Sequence, residues 1–115
     1  MQAHIPGSTE NVVVIYEVNL HIAKAVADRF ADWLPGHVEE MLALPGFIDA
    51  VIAREEADDS SVAWSVRYRL QNRQALDDYF AEHAERMRAD GIERFGEHMH
   101  ASRRILTETL QLRAG

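Results

Sequence analysis

The sequence predicts an α+β domain of order β-α-β-β-α-β, with both helices on one face of a four-stranded antiparallel sheet. Three observations carry this. The hydrophobic spacing switches four times between a two-residue and a 3.6-residue period along the chain. Turn or helix-stopping residues stand at the switches. The segments "VVVIYEVNL" (residues 12 to 20) and "VAWSVRYRL" (residues 62 to 70) each keep one apolar side and one side that admits polar residues, as paired neighbouring strands do.

Residues 12 to 20 open with β-branched residues and alternate as a first strand. From Ala23 to about Leu44, Val26, Phe30, Trp33, Leu34, Val38, Met41 and Leu42 follow helical spacing. Pro35 and Gly36 interrupt that run, so a kink or break is expected near Leu34. "LPGF" (residues 44 to 47) stops the helix and starts a second strand, Phe47 to Arg54. The acidic run "EEADDSS" (residues 55 to 61) reads as a hairpin loop into the third strand, residues 62 to 70. A second helix follows, with Asn72 as its N-cap and Gly91 as its stop. Its buried stripe is expected at Leu76, Tyr79, Phe80, His83 and Met87. "SRRILTETLQL" supplies the fourth strand.

This is the ferredoxin-like plan, with spatial strand order 4-1-3-2 and the first and third strands as central neighbours. Alternation turns Val12, Val14, Tyr16, Val18 and Leu20, with Val62, Trp64, Val66, Tyr68 and Leu70, toward the helices. Val13, Ile15, Glu17 and Asn19 then share the uncovered face with Ala63, Ser65, Arg67 and Arg69. A sheet face that mixes valine and isoleucine with opposed charges suits packing against a second copy, so a homodimer through this face is expected.

With 115 residues, 47% hydrophobic and 27% charged, the chain is one domain's worth of ordinary globular composition. Residues 1–10 read as a flexible N-terminal segment and 11–115 as the domain; no internal repeat divides it. The absence of cysteine removes disulfides, thiolate nucleophiles, Cys-type zinc sites and iron–sulfur clusters. A net charge of −7 opposes the counterion-release binding on which nucleic-acid proteins rely. The first residues carry no basic and apolar leader pattern, and no run approaches a membrane span. A cytoplasmic protein with no membrane partner is therefore expected.

The candidate site residues are Glu17, Asn19, Ser65, Arg67, Arg69 and His83. Glu17 with Arg67 suits polarising a ligand, and suits better an ion bridge that neutralises charge at the sheet centre or dimer contact. Asn19 donates and accepts, which fits either a bound carbonyl or a neighbouring loop. His83, in an apolar helical stripe, is a base near neutral pH or a hydrogen-bonded structural group. His98 and His100 would point the same way in a strand, but two residues do not make a metal site, and none is assigned. Trp33 and His37 stand four apart with Pro35 between them, which is expected to spoil their alignment. Arginines 86, 88, 94, 103 and 104 sit among Glu85, Asp90, Glu93 and Glu97 and read as a mixed solvated surface. No Gly-rich phosphate loop is present, and no cofactor is assigned.

The combination of "IYEVNL", "WLPGHVEEMLALPGF", "VRYRL", "YFAEHAERMRADG" and "RFGEHMHASRR" resembles the DUF4286 family, small bacterial proteins of the dimeric α/β-barrel superfamily, over about residues 12 to 110. The resemblance implies a ferredoxin-like domain pairing as a dimeric barrel. It implies no reaction, because the superfamily spans antibiotic-biosynthesis monooxygenases, haem-degrading enzymes, muconolactone isomerases and stress-response barrels. The haem-degrading branch uses an asparagine on the first strand, a tryptophan on the third and a histidine at the second helix. Asn19, Trp64 and His83 are the matching types, but alternation turns Trp64 away from the barrel. Three classes stay open: a small-molecule binder in a cleft between sheet and helices, a cofactor-independent monooxygenase-like enzyme, and a structural or interaction dimer.

Overall fold

The computed structural model describes residues 12–55 and 61–115. The first eleven residues and the tip of the 55–61 hairpin loop lie outside the described residues, and with them the expected flexible N-terminal segment. Strand β1 (Val14–Ala23) leads through a short 3-10 turn, Lys24–Val26, into helix α1 (Ala27–Leu42). Strands β2 (Phe47–Arg54) and β3 (Ser61–Leu70) follow. Helices α2 (Arg73–Glu82) and α3 (Ala84–Phe95), a 3-10 turn Gly96–His98 and strand β4 (Met99–Thr107) complete the chain. The sheet order is β2-β3-β1-β4, all antiparallel, which is the ferredoxin-like arrangement with β1 and β3 central.

Register settles the two faces. Glu17 pairs with Arg67 and Asn19 with Ser65, while Tyr16 pairs with Tyr68 and Val18 with Val66. The helix-side set forms the core: Tyr16, Ile22, Phe30, Leu34, Val66, Leu70 and Leu76 are all but fully buried. Trp64 also turns helix-side, joining the core edge and stacking obliquely near Phe30. Period-two alternation is enough to assign both faces because a one-residue slip would place Glu17 in that core.

The helices depart from expectation in three places. Helix α1 runs unbroken through Pro35. Proline there deletes one bond to the Ala31 carbonyl, yet Phe30, Leu34, Val38 and Met41 are buried on either side and hold the helix to the sheet. The second helical segment is divided at His83, whose backbone at φ −130° and ψ −27° is not helical. Gly91 does not end it. Helix α3 continues to Phe95, and Gly96, at φ 50°, is the terminator. Gly91 serves packing instead: a Cβ there would lie 3.2 Å from Met99 Cε and 3.3 Å from Trp33 Cη2. Asn72 caps α2 as expected, its Oδ1 accepting from Ala75 N at 2.9 Å.

Candidate functional site

The polar residues of the open sheet face converge on Glu17. Arg67 Nε donates to Glu17 Oε1 at 3.1 Å, with the Ser65 hydroxyl at 3.5 Å from the same oxygen. Arg104 Nε donates to Glu17 Oε2, because Arg104 on β4 stands directly across from Glu17. The Glu17 side chain is 4% exposed, whereas Arg67 and Arg104 are 51% and 59% exposed. The carboxylate is thus covered mainly by the two arginine side chains laid over it. Its pKa is pulled down to about 2, chiefly by Arg104 and against the opposing effect of burial, with Arg67 adding to the pull. The same pairing pushes Arg104 up. Arg104 therefore belongs to this cluster and not to the mixed solvated surface expected of it. Alternation along β4 was the available signal: of consecutive residues Arg103 and Arg104, one must face Glu17.

Arg69 forms a separate bridge, its Nη1 2.7 Å from Asp49 Oδ2 on β2 and its Nε 3.1 Å from Glu108 Oε2 beyond β4. Glu108 is held by its backbone N–H on the Val13 carbonyl. Asn19 lies between Ser65 and Ser102 in register. His83 sits apart at the α2–α3 junction, its Nδ1 accepting from Arg86 Nη2 at 2.8 Å. Glu17, Ser65 and Arg67 are brought together; Asn19 and Arg69 share their face, and His83 does not. Asn19, Trp64 and His83 fall on an open face, a covered face and a helix junction, so they do not converge. His98 belongs to a 3-10 turn and only His100 to β4, and no metal-type cluster of His, Asp and Glu occurs among the described residues.

A cavity of about 410 Å³ lies on the other side of the sheet, between its covered face and the helices. Tyr16, Val18, Val66 and Tyr68 form its floor, Phe30, Trp33, Leu34 and His37 its α1 wall, and Tyr79, Met87, Arg88 and Gly91 its α2–α3 wall. Ile92, Ala101 and Arg103 are the lining residues exposed to solvent, which places the mouth between α3 and the edge strand β4. None of Glu17, Asn19, Ser65, Arg67, Arg69 and His83 lines it. Arg88 and Arg103, expected on the solvated surface, do.

Three features give the cavity chemistry. Arg88 Nη2 donates to the Tyr16 hydroxyl at 3.0 Å, and the buried Arg88 Nε has no hydrogen-bond partner among the described residues. Burial raises Tyr68 and pushes Tyr79 up to about 12, so both phenols stay protonated at neutral pH. On α1 the His37 ring stacks on Trp33 at 4.5 Å between centroids; the unbroken helix preserves the alignment that Pro35 was expected to spoil. Burial lowers the His37 pKa against the opposing pull of Glu40 and Asp90, keeping the imidazole neutral. Trp33 Nε1 donates to Asp90 Oδ2 at 3.1 Å, tying α1 to α3 across the cavity.

The family model for the domain of unknown function DUF4286 matches residues 13–109. The chain belongs to the DUF4286 family. No curated protein matches it. Among solved structures, this DUF4286 chain is similar to SnoaB, a cofactor-independent oxygenase from Streptomyces nogalater, at 15% identity and TM-score 0.65, covering 86% of this chain and 96% of that one. It is similar to a dimeric ferredoxin-like protein from an uncultured marine organism at 10% identity and TM-score 0.63, covering 88% and 99%. A conserved protein of unknown function from Bacteroides thetaiotaomicron is similar at 11% identity and TM-score 0.66, covering 85% and 99%. Identities this low establish the ferredoxin-like fold of the DUF4286 chain and nothing finer. No helix among the described residues is long and apolar enough to cross a membrane.

Proposed function

We propose that this DUF4286 protein binds a small organic molecule between sheet and helices, in a homodimer closed through the open sheet face. The cavity is the observation that carries the reading: 410 Å³ falls within the range of small-molecule sites, and its mostly apolar wall with a few polar groups is their usual composition. The ligand contacts are then Tyr16, His37, Tyr79, Arg88 and Arg103. Glu17, Asn19, Ser65, Arg67 and Arg69 occupy the surface that a second copy would cover, with Val13, Ile15 and the 62% exposed Val51 as its apolar part. The description of one structural neighbour as dimeric supports that pairing.

A cofactor-independent monooxygenase-like activity is the second reading. Neutral His37 on the cavity wall favours it, being able to take a proton from an acidic substrate, as does the description of SnoaB as a cofactor-independent oxygenase.

Native mass spectrometry of gently purified protein tests the proposal. The expected spectrum shows two chains with a retained small molecule, lost in an Ala101→Trp variant that fills the mouth. A bare monomer at micromolar concentration would refute the dimer. Retention unchanged in Ala101→Trp would place the molecule outside the cavity.

A further inference from the structure

We infer that the ligand of this cavity is an organic anion with an apolar, ring-sized body, its acidic group seated between Arg88 and Arg103. The inference deepens the small-molecule reading and rests on it. Arg88 is the starting point. A guanidinium is always charged and carries five donors, and burying such a group without acceptors is costly. Here Nη2 reaches only the Tyr16 hydroxyl, and Nε is buried without a partner among the described residues.

No carboxylate among the described residues forms an ion pair with Arg88 or Arg103. Arg67, Arg69, Arg73, Arg94 and Arg104 each have at least one, and among the arginines without one Arg88 alone, of the described residues, has a buried nitrogen left without a partner. Nor do the tyrosines supply the missing charge. Tyr68 and Tyr79 stay protonated even though Arg103 acts on both and Arg88 on Tyr79. The cavity therefore holds net positive charge in a chain of net charge −7. A carboxylate, sulfonate or enolate accepting from the Arg88 fork would satisfy the buried Nε with a charge-assisted bond. Much of the remaining wall, including Leu20, Phe30, Leu34 and Met41, is apolar and no aspartate or glutamate lines it, which suits a ring system and not a second acidic group. Arg103 is exposed on β4 at the mouth, placed to meet the anion as it enters.

Two fluorescent probes of one skeleton test this: anilinonaphthalene sulfonate, an anion, and its neutral parent phenylnaphthylamine. Titrated into the intact protein, the sulfonate is expected to bind roughly ten-fold or more tightly than the parent, as a charge-assisted bond implies. That preference should collapse in Arg88→Met and in Arg103→Met and persist in Arg73→Met, which alters an exposed arginine paired with Asp77. Arg103 is on the surface, so its variant keeps the test informative if Arg88→Met fails to fold. Equal affinity for both probes would overturn the anion inference while leaving the cavity reading intact. Failure of both probes to bind would overturn both. A sulfonate preference that survives both arginine variants would also refute the assignment, because the charge would then be read elsewhere.

Discussion

Removing Arg67 and Arg104 singly and together is the sharpest test of the open face. Each guanidinium holds a different oxygen of Glu17, so Arg67→Met leaves Arg104 on Oε2 and Arg104→Met leaves Arg67 on Oε1. Both arginines are about half exposed, and each single loss should lower the urea midpoint only slightly, as for a surface ion pair. The double variant is different in kind. It leaves the Glu17 carboxylate with only the Ser65 hydroxyl at 3.5 Å and two apolar methionine side chains where its counterions stood, and stranding a covered charge costs on the order of 3 kcal/mol. The loss should therefore exceed the sum of the singles by ~1–2 kcal/mol. Urea unfolding at pH 7 and one fixed protein concentration measures this as shifts in midpoint at constant slope. Simply additive losses would refute the shared role of the two arginines. A single variant as damaging as the double would show that one of them carries the carboxylate alone.

The depressed pKa of Glu17 makes stability pH-dependent. Its contribution is fully present above the unfolded carboxylate value and is lost as pH falls toward about 2. At ~1.4 kcal/mol per pKa unit the ceiling is ~3 kcal/mol, and screening through two half-exposed arginines reduces it to ~1–2 kcal/mol. Melting temperatures between pH 6 and 3 should fall less steeply in Glu17→Gln than in the parent; parallel curves would contradict the assignment. Val13→Asp with Ile15→Asp should dissociate the proposed dimer, since each adds an unpaired charge to what would be an apolar contact; sedimentation showing unchanged assembly would exclude this face. Gly46→Ala should cost ~2–3 kcal/mol in the same urea assay, because Gly46 sits at φ 85° and its Cβ would lie 2.4 Å from Ala75 Cβ. A near-neutral effect there would mean that the β2–α2 approach is looser than the structure has it.

How much of this was legible depends on the range of the interaction that decides each feature. Strand faces follow from strict alternation, and the Asn72 cap is set within one turn of helix, so sequence alone suffices for both. Pro35 and Gly91 follow another logic. Their local tendency to break a helix is real, but burial of Phe30, Leu34, Val38, Met87 and Phe95 around them outweighs one lost bond or ~1 kcal/mol of propensity. The division at His83 has no local breaker residue to announce it. The cavity was the least legible, since no spacing rule states that the helices leave Ala101 and Arg103 of β4 exposed on a nominally covered face.

Arg103 and Arg104 show what that omission conceals. They look alike in the sequence, two arginines in a mixed-charge tail, yet the strand turns one to the mouth of the cavity and the other onto a buried carboxylate. Their surroundings then assign opposite tasks. Arg104 already has a carboxylate partner, Glu17, which it shares with Arg67, and its value lies in holding β4 to β1 across the open face. Arg103 has none among the described residues, which is what offers it to a ligand. Because both ride on one edge strand, a second copy seated on the open face would hold Arg104 and, through the adjoining backbone, set where Arg103 stands at the cavity mouth. Dissociating the dimer with Val13→Asp and Ile15→Asp should thus also weaken sulfonate-probe binding, although neither residue lines the cavity. Probe affinity unchanged in a fully monomeric variant would separate the two faces and make β4 a passive wall.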